Sequence, residues 1–257
     1  MNKWFEGKVV LITGGASGQG KATVYELVNR GADVVFIDIN EEKAKEVLAE
    51  CERRGGNAEF RKCDLTKHEE LMELFAYIKE KYGKLDFAGN IAGWGIPYTM
   101  IDSTTDEDID RMINLNLKGL IYCMQEEIKL MRQQNFGRIV NIASDAAFMG
   151  APGMAVLGAT KAGVIGVTKN ACLDVVREGI TINSISPGAI ETELVLSVKE
   201  QHPEEFEQYC RNMPVGRFGK PSEIAHGVCF FFEEESSFIT GVNLPIDGGF
   251  GAGKMER

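Results

Sequence analysis

The sequence predicts an α/β protein: a single Rossmann-type domain, residues 1–257, with a doubly wound parallel sheet of about seven strands and helices on both faces. Short apolar runs bounded by glycine alternate with longer helical patterns along the chain, and such runs are typical of strands buried in a parallel sheet. No internal repeat, low-complexity tract or Pro/Ser-rich linker interrupts this alternation. Apolar residues make up 44% of the chain, which is enough to fill one large core.

In the first half of the chain, each predicted strand is followed by a helical segment long enough to cross back over the sheet. The strands are predicted at residues 8–14, 33–39, 58–65 and 85–93, and the helices between them at 20–31, 40–55 and 68–83.

The second half repeats this alternation with one insertion. A long helix is predicted from about Asp106 to Gln134, then a strand at 137–144, a helix at 156–179 and a strand at 180–188. An acidic segment at 193–214 precedes a helix that starts near Pro221 and a last strand at 241–249, and we interpret this segment as a lid over a substrate.

Composition excludes several classes of function. A net charge of −10 argues against nucleic-acid binding, which requires a basic surface. No stretch has the 18 or more uncharged apolar residues that a membrane span needs, and the chain runs directly into a strand without a signal-peptide pattern, so we expect a cytoplasmic protein. The six cysteines form no CxxC pair or zinc-like cluster, so no metal and no disulfide framework is predicted.

A glycine-rich turn indicates a dinucleotide site. The stretch TGGASGQG, residues 13–20, follows the first predicted strand and opens a helix, which is the context that makes such a motif informative. Gly14, Gly18 and Gly20 would let the backbone approach a pyrophosphate, whose charge the helix N-terminus would meet, with Ser17 and Gln19 in the same turn. The spacing is TGxxxGxG rather than GxGxxG.

Asp38 at the end of the second strand favours NAD over NADP. A carboxylate there can accept hydrogen bonds from the adenosine ribose and repel a 2′-phosphate. Ser17 stands before Gly18, and Ile39 and Asn40 follow Asp38, so no basic residue offers a partner for that phosphate.

With these residues the chain resembles the short-chain dehydrogenase/reductase family over nearly its whole length. Further motifs recur in the family's order: CDL at 63–65, NIAG at 90–93, NLNLKG at 114–119, IVNIAS at 139–144 and SPGAIET at 186–192. The resemblance implies contacts to the cofactor from Asp64 and Leu65 at the adenine, Asn90 near the ribose and the sheet, and Pro187, Ile190 and Thr192 around the carboxamide. It also implies a homotetramer, or a homodimer, as the assembly.

The resemblance also implies a catalytic group of Ser, Tyr, Lys and Asn, and here one member is replaced. Ser144, Lys161 and Asn116 stand at the matching positions, where the resemblance assigns Ser144 to the substrate oxygen, Lys161 to the nicotinamide ribose and Asn116 to an ordered water. The tyrosine position, four residues before Lys161, is Leu157. Leucine cannot exchange a proton, and losing such a group costs roughly 10²- to 10⁴-fold in rate.

Three interpretations of Leu157 stay open. The chain is an enzyme whose substrate does not need that phenol, with Asp145 as a candidate proton donor if apolar walls raise its pKa; alternatively Asp145 is a solvent-facing or backbone-capping carboxylate. The chain is a cofactor-binding protein without turnover, or it is a variant of an active alcohol dehydrogenase or ketoreductase. His202 in the lid is a weaker candidate for the proton donor than Asp145, and a surface histidine is the simpler interpretation.

The first interpretation is preferred: an NAD-dependent oxidoreductase that transfers hydride between nicotinamide and an apolar, cyclic or aromatic alcohol, ketone or related acceptor. The expected pocket walls are rich in aromatic and sulfur-containing side chains, which suit a flat or bulky apolar ligand. These walls are formed by Trp94, Tyr98, Met100, Phe148, Met149, Met154, Leu194 and Leu196.

Overall fold

The computed structural model describes residues 4–95, 98–201 and 203–253. Within them, seven parallel strands form one sheet in the order β3-β2-β1-β4-β5-β6-β7. The strands are β1 (Val9–Thr13), β2 (Asp33–Asp38), β3 (Asn57–Lys62), β4 (Phe87–Asn90), β5 (Gly137–Ile142), β6 (Ile180–Pro187) and β7 (Asn243–Ile246). The predicted fold class, a doubly wound parallel sheet of seven strands, is confirmed.

Helices cover both faces of this sheet. They are α1 (Gly18–Asn29), α2 (Glu41–Arg53), α3 (His68–Tyr82), α4 (Asp106–Ile113), α5 (Leu120–Arg132), α6 (Ala155–Val175), α7 (Glu193–Gln201), α8 (Pro203–Asn212) and α9 (Pro221–Phe232). Side chains of α3, α5 and α6 pack in one buried apolar cluster, and those of α1, α2 and α9 pack in another on the opposite face. The central strands β1, β4, β5 and β6 are buried throughout, whereas the edge strands β3 and β7 are partly exposed because each has a single neighbour.

The chain order reverses between β1 and β4, and this decides where a ligand can bind. From β1 the chain proceeds outward to β2 and β3, then returns to β4 on the other side of β1. The loops after β1 and β4 therefore diverge to opposite faces and leave a crevice beyond the carboxyl ends of the strands.

The long helix predicted over 106–134 is present with an interruption. Between α4 and α5, residues Asn114–Gly119 form a π-helical turn, so the rod is continuous but locally widened. Such turns are rare and occur mostly as single-turn bulges at functional sites. The sequence predicted one uninterrupted helix here and did not reveal this wider turn.

The predicted lid at 193–214 consists of the two short helices α7 and α8. A separate small cluster of buried side chains, Phe206, Met213 and Phe218, packs beneath it. Residue 202, the candidate histidine, lies outside the described residues. Among the helices of the described ranges none is long and apolar enough to cross a membrane, and no group of three or more His, Cys, Asp or Glu there could hold a metal ion.

Candidate active site

A cleft of about 610 Å³ lies at the crevice beyond the carboxyl ends of the strands. It extends from the loop after β2 on one side to the start of α7 on the other. Predicted site residues that line it are Gly14, Ser17, Gly18, Gln19, Gly20, Asp38, Ile39, Asp64, Leu65, Ser144, Lys161, Pro187 and Thr192, and Leu157 lines it as well. Four predicted site residues do not line the cleft: Asn90, Asn116, Asp145 and Ile190. The first three are each adjacent in sequence to a residue that lines it, and Ile190 is hydrogen-bonded to one.

The turn after β1 requires glycine at defined positions. Gly14 has φ +68°, and a Cβ on it would lie 2.8 Å from Ala92 Cα. A Cβ on Gly20 would lie 2.0 Å from the carbonyl oxygen of Gly14, closer than any real contact. The turn is thus folded onto itself, and α1 begins at Gly18 with its first amide groups at the cleft.

Asp38 connects the two loops at the far end of the cleft. Its Oδ2 accepts a hydrogen bond from the Ala16 amide at 3.1 Å, and its Oδ1 accepts one from the Asn40 amide at 3.0 Å. The carboxylate is therefore held in place before any ligand binds. Ile39 next to it is exposed and lines the cleft.

The loop after β3 forms the floor beside Asp38. Asp64 Oδ1 accepts hydrogen bonds from the amide and hydroxyl of Thr66, at 3.0 and 2.8 Å, which closes a tight turn. Leu65 in the same turn is buried with 5% of its surface exposed, and it lines the cleft. Asp64 and Leu65, which the family resemblance places beside the adenine, therefore both line this part of the cleft.

The π-helical turn places Asn116 under the centre of the site. Asn116 is fully buried; its Oδ1 accepts from the Trp94 amide, and its Nδ2 donates to the Trp94 carbonyl, both at 2.8 Å. The side chain therefore fixes the loop after β4 rather than projecting into the cleft. A Cβ on Gly93 would lie 3.2 Å from Lys161 Nζ and 3.3 Å from Asn116 Oδ1, so Lys161 and Asn116 both lie against this glycine.

Lys161 is a buried cation at the cleft wall. Its Nζ donates to the Ile142 carbonyl at 2.8 Å, and 6% of the residue is exposed. Burial disfavours the ammonium form and lowers the pKa of Lys161 to about 8. The group can therefore gain or lose a proton near neutral pH.

Ser144 and Asp145 form a hydrogen-bonded pair on the substrate side. Ser144 Oγ donates to Asp145 Oδ1 at 2.9 Å, and the same Oδ1 accepts from the Ala146 amide at 2.8 Å. Burial raises the pKa of Asp145 above its usual value, while these two hydrogen bonds partly offset that effect. Asp145 is thus a partly buried carboxylate that caps a backbone amide and also contacts the serine that lines the cleft.

Leu157 lies one helical turn before Lys161 and lines the same cleft. No tyrosine of the described residues lines the cleft. The Tyr209 hydroxyl in the lid donates to the Tyr98 hydroxyl in the loop after β4 at 3.0 Å. This hydrogen bond, together with burial, raises the pKa of Tyr98 to about 12. Tyr98 is therefore a weaker acid than a free phenol, and it does not replace the tyrosine that the family resemblance implies at position 157.

Pro187 and Thr192 line the cleft on the side of β6. The Thr192 amide donates to the Ile190 carbonyl at 2.8 Å, and Ile190 is buried and paired with Gly219 in an isolated β-bridge. Ile190 therefore anchors this loop to the core, and Thr192 carries its contact surface.

Beneath the site is a buried polar network that the sequence analysis missed. Asn90 Nδ2 donates to Glu127 Oε2 at 3.1 Å and to Asn141 Oδ1 at 3.0 Å, and Asn141 Nδ2 donates to Thr168 Oγ1 at 2.9 Å. Glu127 is fully buried, and burial raises its pKa to about 8. An acid among the apolar positions of α5 was the available signal. The side chain of Asn90, expected near the ribose, is directed into this network.

Of the residues expected to form apolar walls, Trp94 lines the cleft. Tyr98, Met100, Phe148 and Leu196 do not line it, and each has at least 40% of its surface exposed. Met149 and Met154 do not line it either. The Arg111 guanidinium lies 4.0 Å from the centre of the Trp94 ring, and both residues line the cleft. Arg111 was not predicted from the sequence. Nothing is described for the side chain of Leu194, another expected wall residue.

Comparison with known proteins places this architecture among oxidoreductases. Residues 14–251 match the family model described as Enoyl-(Acyl carrier protein) reductase. The chain is 38% identical over 245 residues to 3-oxoacyl-(acyl-carrier-protein) reductase FabG of Thermotoga maritima, over 95% of this chain and 98% of that protein. It is 36% identical over 247 residues to 2,5-dichloro-2,5-cyclohexadiene-1,4-diol dehydrogenase LinX of Sphingobium indicum, over 96% and 97% of the two chains.

A solved structure with the same fold is a variant of actinorhodin polyketide ketoreductase with NADPH. It matches with a TM-score of 0.91 and 32% sequence identity, and the match covers 98% of this chain and 99% of that one.

Proposed function

Because the chain belongs to the short-chain dehydrogenase/reductase family, we propose that it is an NAD-dependent oxidoreductase that acts on apolar, cyclic alcohols or ketones. The observation that carries this proposal is the cleft at the reversal of strand order, where the glycine-rich turn, Asp38, Ser144 and Lys161 meet. The proposed proton path differs from the one that the family resemblance implies, because Leu157 stands where a tyrosine is expected.

The residues of the cleft fit a nicotinamide dinucleotide. The turn at Gly14 and Gly20 has no room for side chains, which leaves backbone amides at the surface where a pyrophosphate would lie. Asp38 is held ready to accept from ribose hydroxyls, and Asp64 and Leu65 border the base. When bound, the dinucleotide supplies or accepts a hydride.

On the substrate side, Ser144 orients the reacting oxygen. Its Oγ lines the cleft and is hydrogen-bonded to Asp145, so a protonated Asp145 can pass a proton to Ser144 Oγ while Ser144 passes its own to a substrate alkoxide. In oxidation the two transfers run in reverse. Lys161, with a pKa of about 8, is the second group that can exchange a proton at this cleft.

The substrate class follows from the walls and from relatives. On the substrate side the cleft is lined by Trp94 and Leu157, and such an apolar, aromatic wall favours a ring over a sugar or a hydroxy acid. LinX is a dehydrogenase of a cyclic diol, and the solved neighbour is a polyketide ketoreductase. FabG, by its name, reduces an acyl group on a carrier protein, so acyl thioesters are the competing class.

The preference for NAD rests on Asp38 and on the absence of a basic side chain at positions 17, 39 and 40, which are Ser17, Ile39 and Asn40. The solved ketoreductase neighbour was obtained with NADPH, so the preference needs a direct test. Replacing Asp38 with alanine should lower the preference for NADH over NADPH, measured as the ratio of their binding affinities, by about tenfold. Tighter NADPH than NADH binding in the unmodified protein would contradict the assignment.

Single-turnover oxidation of bound NADH tests the activity. We expect cyclic and aromatic ketones to react and 3-oxoacyl thioesters to react more slowly. In Asp145→Asn the rate should fall about tenfold or more if Asp145 supplies the proton. An unchanged rate that instead declines above pH 8 would assign the proton to Lys161.

Leu157 also supports a second candidate, a nucleotide-binding protein without turnover. It predicts tight NADH binding with no oxidation across the whole substrate panel. Activity appearing only in Leu157→Tyr would favour this candidate, or a variant of an active dehydrogenase, over the atypical proton path.

The remaining parts of the proposal concern the setting of the enzyme. We propose a cytoplasmic homotetramer or homodimer with a small apolar substrate and no nucleic-acid or membrane partner. Leu173 on α6 is 73% exposed, and Val176 directly after the helix is 43% exposed, which supports an interface on this face. Analytical ultracentrifugation of the protein and of Leu173→Glu tests the assembly, because a charge at a buried interface should dissociate it.

A further inference from the structure

A carboxylate at the start of the lid bridges two helices beside the cofactor cleft. Glu193 is the first residue of α7; its Oε1 lies 2.5 Å from Lys21 Nζ on α1, and its Oε2 lies 2.5 Å from Lys43 Nζ on α2. Glu193 is 172 residues from Lys21 and 150 residues from Lys43 in sequence, so their meeting reflects the packed fold.

This bridge lies at the cleft. Thr192, directly before Glu193, lines the cleft, and its Cγ2 would be 3.5 Å from a Cβ on Gly18. The start of the lid therefore crosses the glycine-rich turn, and Glu193 lies on the side of α1 and α2.

Lys43 is adjacent to the carboxylate assigned to the ribose. Asn40 Oδ1 accepts from the Lys43 amide at 3.0 Å, and the Asn40 amide donates to Asp38 Oδ1 at 3.0 Å. Asp38 also attracts the Lys43 ammonium group, and with the hydrogen bond to Glu193 it contributes to the raised pKa of Lys43. A 2′-phosphate on a ribose held by Asp38 would thus come near Lys43. This lysine lies outside positions 17, 39 and 40, from which the preference for NAD was predicted.

We propose that Glu193 is a specificity-determining residue that disfavours NADP by engaging Lys43 and Lys21, the cations a 2′-phosphate would otherwise use. This inference rests on the proposed function, because it assumes that a dinucleotide binds with its ribose at Asp38.

Charge balance gives the physical reason. At this edge the carboxylates of Asp38 and Glu193 are matched by the ammonium groups of Lys21 and Lys43. A 2′-phosphate adds about two negative charges, and it must compete with Glu193 for the same lysines. The side chains of the bridge are one-third to one-half exposed, so the ion pairs themselves add little stability, and their main effect is on the local potential.

The test is binding, measured by calorimetry or NADH fluorescence at low ionic strength in the full-length protein. In Glu193→Gln, NADPH affinity should rise roughly tenfold, the size of one charge-assisted hydrogen bond, while NADH affinity stays within about twofold. Adding Lys21→Gln and Lys43→Gln to this variant should remove the gain, because both freed cations are then absent.

Glu200→Gln is the matched control, since it removes the same charge from the last turn of the same helix. An equal rise of NADPH affinity in this control would reduce the effect to net charge and overturn the inference. An unchanged NADPH-to-NADH ratio in Glu193→Gln, with NADH still bound, overturns it while leaving the proposed function intact. Absence of NADH binding to the unmodified protein overturns both.

Discussion

The two halves of the cleft differ in how completely they are built. In the cofactor half, Gly14 and Gly20 leave no room for a side chain, and both oxygens of Asp38 are held by backbone amides. In the substrate half, Ser144 and Lys161 occupy their expected places, but Leu157 between them offers no proton and no hydrogen bond.

From this difference we expect that nucleotide binding and proton transfer can be altered separately. The cofactor half depends on backbone conformation and on carboxylates that are fixed by local hydrogen bonds. The substrate half depends on the polar side chains of single residues. Replacing one of these residues is therefore expected to remove proton transfer without changing the shape of the cleft. The Ser144–Asp145 pair and the low pKa of Lys161 are what this chain offers in place of the phenol.

The largest effect is expected from restoring that phenol. Leu157→Tyr should raise the single-turnover rate of NADH oxidation by roughly 10²- to 10⁴-fold, because a general acid is placed one helical turn before Lys161. NADH affinity should change little. Leu157→Phe adds the ring without the hydroxyl and should give no gain, and a comparable gain in Leu157→Phe would attribute the effect to shape.

A second test addresses the polar network that lies beneath the site. Glu127 has a folded-state pKa of about 8 and a usual value near 4.5, so its protonated form stabilises the fold at low pH. That contribution is lost as pH rises from about 4.5 through about 8. Glu127→Gln should therefore be more stable than the unmodified protein by on the order of 4 kcal/mol at pH 9, and within about 1 kcal/mol at pH 5.

Urea denaturation at the two pH values measures this difference. The exposed acid Glu80 on α3 provides the control, and Glu80→Gln should show no comparable dependence on pH. Equal stability of Glu127→Gln and the unmodified protein at pH 9 would contradict this prediction. It would mean that structural opening or a partner group removes the cost of ionising the buried Glu127.

The smallest of the three effects tests the cofactor half directly. Gly20→Ala places a methyl group 2.0 Å from the Gly14 carbonyl oxygen, so the turn must shift. NADH affinity should fall roughly 30-fold, corresponding to about 2 kcal/mol of misfit. Gly166→Ala on α6, where a Cβ meets nothing within 4 Å, should bind NADH normally. Retained affinity in Gly20→Ala would show that the cofactor half adapts more readily than its geometry indicates.

Much of the fold and part of the site could be predicted from the sequence. The alternation of apolar strands and helices specified the sheet, because each period is a local property of the chain. The glycine-rich turn and Asp38 were recognised because they follow predicted strands at short, defined spacings. Asn116 and Asn90 were predicted as site residues, but their side chains hydrogen-bond to the loop after β4 and to the buried network and do not line the cleft.

The sequence by itself determined the order of the elements, the presence of a glycine-rich turn after the first strand, and the leucine at position 157, four residues before Lys161. Only the tertiary structure decided which charges meet and which are buried. Glu193 contacts Lys21 and Lys43, and Glu127 contacts Asn90, because packing brings distant segments together. Local periodicity restricts each residue's backbone and face, whereas the partner and solvent exposure of a side chain depend on how all the elements pack around it.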